Sequence, residues 1–121
     1  MTKGWTLTLR NGSSVRHTHF QSLQAASDAL RERLDELAPE VRRETIGVFK
    51  RQFEPVRQVV ARAEISGPGV LRSAVHGGID LRGDGSIEAY TGRLRRKLVT
   101  PREGESVYEA LRRVLEHAHG G

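Results

Sequence analysis

The chain has no cysteine. Disulfides, a thiolate zinc site and a thiol nucleophile are excluded. Aromatic side chains are scarce too, with one tryptophan, two tyrosines and three phenylalanines in 121 residues. Most fall on apolar stripes where core packing claims them. A protein that binds single strands by base stacking needs exposed aromatics interleaved with its cations, and no segment carries the aromatic pattern of an RNA-recognition strand. No apolar run approaches the roughly 18 residues of a membrane span, and the first residues hold no apolar leader core. A cytoplasmic protein without membrane contact is the expectation. Lysine is nearly missing as well: the only lysines are Lys3, Lys50 and Lys97, and the other basic residues are arginine. Arginine, alanine and glycine have GC-rich codons, which points to a high-GC bacterial, phage or plasmid gene.

What is present is positive charge in one place. Lysine and arginine number 20, aspartate and glutamate 15, for a net charge of +5. From Ala89 to Arg102 the chain carries five cations, Arg93, Arg95, Arg96, Lys97 and Arg102, and no acid. This run equals the whole net charge, and a concentrated field is what an anionic partner feels. The length is that of one domain able to build a core without metal or disulfide staples.

Periodicity supplies the elements. Thr6–Arg10 alternates, Asn11-Gly12 signals a hairpin, and Ser14–Phe20 returns as a second strand. Ser22 caps a helix running to about Leu37, with Leu23, Ala26, Leu30, Leu34 and Leu37 on one face. Pro39 breaks that helix and opens another, whose apolar side is Val41, Thr45, Val48, Phe49 and Phe53, ended by Pro55. Between Val56 and Ile65 the alternation of Val59, Ala61, Ala63 and Ile65 favours a strand, with Gly67-Pro68-Gly69 as its turn; a helical step also fits. Val70–Arg82 reads as extended, bent or bulged at Gly77-Gly78. The turn at Gly83–Ser86 leads into a strand from Ile87 to Val99. Ser106 and Glu109 form a capping box for the last helix, with Val107, Tyr108, Leu111, Val114, Leu115 and Ala118 as its apolar side. The expectation is a single α+β domain over residues 1–121, in the order β-β-α-α-β-β-β-α, its mostly antiparallel sheet packed by helices. A ββα unit over 4–37 has an echo at 76–118.

Parity along Ile87–Val99 separates two faces. Tyr90, Leu94 and Leu98 lie on one, with the leucines expected inward. Arg93, Arg95 and Lys97 lie on the other, as an outward row. Same-face residues of a strand stand about 6.6 Å apart, comparable with successive phosphates, so such a row can neutralise several of them. A solvated face, or an edge strand guarded by charge, accounts for the same residues.

From Pro39 onward the expected order α-β-β-β-α is similar to the topology of double-stranded-RNA-binding domains. With a preceding strand it also resembles the β-α-β-β-β-α order of ribosome hibernation factors. The likeness lies in element order and is carried by no motif. It implies a sheet backed by helices. Those RNA domains place basic residues at the start of their last helix, where this chain has Glu103, Glu105 and Glu109.

Other constellations are thin. His17 and His19 share a strand face, and His117 and His119 diverge at a helix end; the first pair is a weak metal candidate without a neighbouring acid. Arg82-Gly83-Asp84 belongs to a hairpin turn. Asp80 and Glu88 approach each other across that hairpin, where contact with Arg82 or Arg72 is the simplest role. No serine sits in a nucleophile elbow. The function expected is a small non-enzymatic module, without cofactor or metal. It contacts the backbone of duplex or structured nucleic acid through Arg93, Arg95 and Lys97, flanked by Arg96 and Arg102. The alternative is a protein-interaction module: a homodimer, an antitoxin- or immunity-type inhibitor, or an assembly subunit, pairing a strand edge with an acidic partner.

Overall fold

In the computed structural model, residues 4–49, 58–68, 75–93 and 95–120 are described. Strand β1 (Trp5–Asn11) and strand β2 (Ser14–Phe20) form the first hairpin, turning at Gly12, whose φ is 63°. Helix α1 (Leu23–Phe49) follows, then β3 (Val59–Ser66), β4 (His76–Arg82), β5 (Ile87–Thr91), β6 (Lys97–Val99) and helix α2 (Val107–Gly120). The strands make one antiparallel sheet in the order β2-β1-β3-β4-β5-β6. The fold is α+β, as expected, with the order β-β-α-β-β-β-β-α. Four strands therefore separate the helices, unlike the three of the double-stranded-RNA-binding topology.

Both helices lie on one face of the sheet. The sheet contributes Trp5, Leu7, Ala61, Ala63, Ile65, Ile79, Leu81, Ala89 and Val99 to the core, and the helices contribute Ala26, Leu30, Leu34, Ala110, Leu111 and Leu115. Each fully buried Leu or Ile is worth about 1.5–3 kcal/mol of transfer free energy. The alanines on β3 and β5 keep the sheet surface low. Gly77 goes further: a Cβ there would stand 3.0 Å from Leu115 and 3.1 Å from Leu111. That bare position lets the leucines of α2 reach the sheet.

Local chemistry explains the helix starts. The Ser22 hydroxyl accepts from the Ala25 N–H at 3.1 Å. In α2 the Ser106 hydroxyl accepts from the Glu109 N–H at 3.0 Å, and the Glu109 carboxylate accepts from the Ser106 N–H at 2.8 Å, closing the capping box. Ala118, expected on the apolar side, is exposed.

Three expectations are corrected. Helix α1 runs through Pro39 instead of breaking there. Pro39 is exposed, so its missing N–H deprives Asp35 of one backbone bond while strong helix formers on both sides carry the helix on. The pair Gly77-Gly78 shows no bulge. Register is unbroken there, and the only β3–β4 shift falls between Val59 and Ala61. The single strand Ile87–Val99 is two strands, β5 and β6. The side chains of Val41, Thr45, Val48 and Phe49, and residues Phe53, Pro55, Val56, Gly69, Arg72 and Leu94, lie outside the described residues. None of the described helices is long and apolar enough to cross a membrane.

Candidate nucleic-acid interface

Gly92 divides the basic run. Its φ is 94°, a left-handed conformation that side chains rarely adopt. A Cβ at this position would lie 2.5 Å from the Arg95 carbonyl oxygen. Its N–H donates to the His76 carbonyl at 2.9 Å, ending the β4–β5 ladder. The chain then turns back and pairs β6 with β5, Thr91 against Lys97, Tyr90 against Leu98 and Ala89 against Val99. Arg93 and Arg95 therefore sit in the hairpin loop, and only Lys97 is in a strand. The evenly spaced row of three cations does not form.

The parity groups survive, but the faces are exchanged. Val99 (9% exposed) and Ala89 point to the helices, while Leu98 is 63% exposed on the opposite face beside Tyr90. Ala89 and Val99 join the core cluster, and Leu98, paired opposite Tyr90, does not.

Arg93, Arg95, Arg96, Lys97 and Arg102 are all exposed. The first two and Lys97 make no ion pair with a described carboxylate. This contrasts with the sheet interior, where Arg62 holds Asp80 at 2.6 Å and Arg82 holds Glu88 at 2.7 Å. Asp80 and Glu88 are thus opposed in register and each tied to an arginine, Asp80 to Arg62 and Glu88 to Arg82. Arg96 differs from its neighbours. It folds back with its guanidinium carbon 4.4 Å from the Tyr90 ring centre, a cation–π contact, and 4.0 Å from Glu64. Arg102 stands past β6, where its charge helps lower the pKa of Glu105.

The far face of the sheet holds a polar network that sequence reasoning missed. The Tyr90 hydroxyl donates to Glu64 Oε2 at 2.7 Å, and His76 Nε2 lies 3.2 Å from the same oxygen. Arg10 approaches Glu64 at 3.6 Å. The Ser66 hydroxyl lies 3.0 Å from His76 Nδ1. Burial works against charge on Glu64, yet the bonds from Tyr90 and His76, and the nearby cations, hold its carboxyl below the usual range. Burial, followed by the bond to Glu64, pushes the Tyr90 hydroxyl upward. Tyr90 reaches across because Gly78 lies beneath it: a Cβ at Gly78 would meet the Tyr90 oxygen at 2.8 Å. In a neutral His76 ring, donation from Nε2 to Glu64 leaves Nδ1 as acceptor for the Ser66 proton. That order resembles a general-base relay. However, Ser66 is paired on both sides, and the Gly67 N–H donates to the Val75 carbonyl at 2.7 Å. These backbone groups offer no donor pair for an oxyanion, and the network's visible work is to tie β1, β3, β4 and β5 together. The alternation of Arg62, Glu64 and Ser66 with Ala61, Ala63 and Ile65 was the available signal for an exposed polar face.

The histidine pairs do not meet. His17 and His19 lie on this far face, each Nδ1 bonded to a threonine across the ladder, Thr8 at 2.9 Å and Thr6 at 3.0 Å. His119 lies on the helix side, its ring centre 5.1 Å from that of Trp5. Among the described residues no group of three His, Cys, Asp or Glu side chains is placed to hold a metal. Comparison with protein-family models, with curated proteins and with solved structures finds no match to this chain.

Proposed function

We propose that this protein is a small non-enzymatic module, acting in the cytoplasm, that contacts the phosphate backbone of duplex or structured nucleic acid through its β5–β6 hairpin. Arg93, Arg95 and Lys97 make the contacts, flanked by Arg96 and Arg102. The observation that carries this reading is the concentration of exposed cations without a described carboxylate partner on one hairpin, while arginines inside the sheet are paired. Arg16, Arg33 and Arg112 also have no described ion pair, but they stand apart from one another on β2, α1 and α2. Tyr90, the one aromatic near the hairpin among the described residues, is 2% exposed and occupied by Arg96 and Glu64. It is not available for base stacking, which favours backbone contact.

One observation favours a second reading. Strand β6 is a sheet edge, and its central residue Leu98 is 63% exposed. An added strand from an acidic partner, or from a second copy of the chain, would pair there. A shift assay with duplex RNA, duplex DNA and single strands separates the two. Retention of a duplex that disappears in R93E/R95E/K97E supports the first reading. A salt-independent doubling of mass without nucleic-acid retention supports the second.

A further inference from the structure

The connection from β6 to α2 leaves a half-open groove of about 370 Å³ against the helix, lined by Arg102, Arg113, Val114 and His117. Three of these four residues carry nitrogen donors, and none is an acid. Arg113 and His117 are four residues apart on α2, so they stand one turn apart on one side. Arg102 enters from the connection.

The acid bonded to this cluster is Glu105. Its Oε2 accepts from Arg113 Nε at 2.9 Å, and its Oε1 accepts from Arg113 Nη2 and from the Arg102 N–H, both at 3.0 Å. This two-bond brace fixes the plane of the Arg113 guanidinium and leaves Nη1 without a described acceptor. Glu109 lies one turn nearer the start of α2, but its carboxylate accepts from the Ser106 N–H. Glu116 lines a different groove, beside Trp5 and His119. Donors therefore converge on a recess of ligand size; Glu105 offsets part of the Arg113 charge, and Glu103, next to Arg102, is exposed. A planar guanidinium held in place presents its edge to a tetrahedral oxyanion.

We propose that this groove seats a phosphate group through Arg113, Arg102 and His117. The identity of the phosphate rests on the nucleic-acid reading: in that case it is a backbone phosphate beyond the hairpin, with Arg102 shared by both contacts. The seat itself requires only phosphate chemistry, which free phosphate also supplies.

The test is an NMR titration of isotope-labelled protein with inorganic phosphate at constant ionic strength, following the Arg113 Nε–H and His117 ring signals. Saturable shifts are expected, with none from chloride alone. Arg102→Ala, which retains the backbone bond to Glu105, is expected to weaken the phosphate titration about tenfold, the effect of one charged hydrogen bond. Shifts that never saturate, or that chloride reproduces, overturn the proposal, as does unchanged affinity in Arg102→Ala. R93E/R95E/K97E distinguishes this failure from failure of the hairpin reading. In that variant the phosphate titration is expected to persist while duplex retention is lost. Duplex RNA that shifts the same signals and is displaced by phosphate identifies a backbone source. Phosphate that saturates the groove while duplex RNA leaves it unshifted supports the seat with free phosphate as its ligand.

Discussion

At the residue scale, Gly78 and Tyr90 act as a pair across β4 and β5. The glycine leaves room for the ring to cross the sheet, and the ring delivers its hydroxyl to Glu64. Gly78→Ala is therefore expected to cost about 1–3 kcal/mol, the usual penalty for forcing atoms into packed space. Here the added carbon would also meet the Ala63 carbonyl at 2.6 Å, which backbone must relieve. Urea denaturation measures the loss. Glu105 gives a pH dependence. The side-chain bonds from Arg113, followed by the backbone bond from Arg102, lower its pKa from 4.5 to about 2. Because the folded value is depressed, the contribution is fully present above about pH 4.5 and is lost as the pH falls through about 2. Glu64 is also lowered and acts in the same direction. Glu105→Gln is expected to be less stable than the parent at pH 7, with the difference shrinking between pH 4.5 and 2. Denaturation curves across that range check it.

At the element scale, cooperative local signals were legible in the sequence and long-range ones were not. Ser106 and Glu109 announce their capping box because both partners lie within one turn. Ser106→Ala is expected to cost about 1 kcal/mol, read as a lowered denaturation midpoint. Strand β3 was legible from its alternation of Ala61, Ala63 and Ile65. The end of α1 was not, because one exposed proline removes a single backbone bond that the flanking turns outweigh. Pro39→Ala is expected to stabilise the chain, by up to about 3 kcal/mol, measured in the same way. The break at Gly92 was hidden for a different reason. With Tyr90 opposite Leu98, the hairpin returns to the same parity as an unbroken strand, so alternation cannot distinguish them. Hydrophobicity alone places Leu98 inward, yet Ala89 and Val99 join the core and Leu98 is exposed. The Glu64 network draws its members from β1, β3, β4 and β5, which only the folded register brings together.

At the scale of the whole molecule, the two faces of the sheet have separate work. One face is covered by α1 and α2 and holds the core, while the other carries paired polar groups from Thr6 to Tyr90. The excess charge is gathered at the β5–β6 end of the sheet and along the approach to α2. The site residues were legible as a charge run, but their arrangement as a loop at a sheet edge required the fold. Placement, not net charge, is the central claim. It is tested most directly by measuring duplex-RNA affinity against salt for the parent, for R93E/R95E/K97E and for R16E/R33E/R112E, which changes net charge by the same amount elsewhere. With about three phosphates neutralised, log affinity should fall with log salt at a slope near −3. The hairpin variant should lose binding, and the distributed variant should retain most of it. Equal losses in the two variants, or binding that survives the hairpin change, would contradict the account.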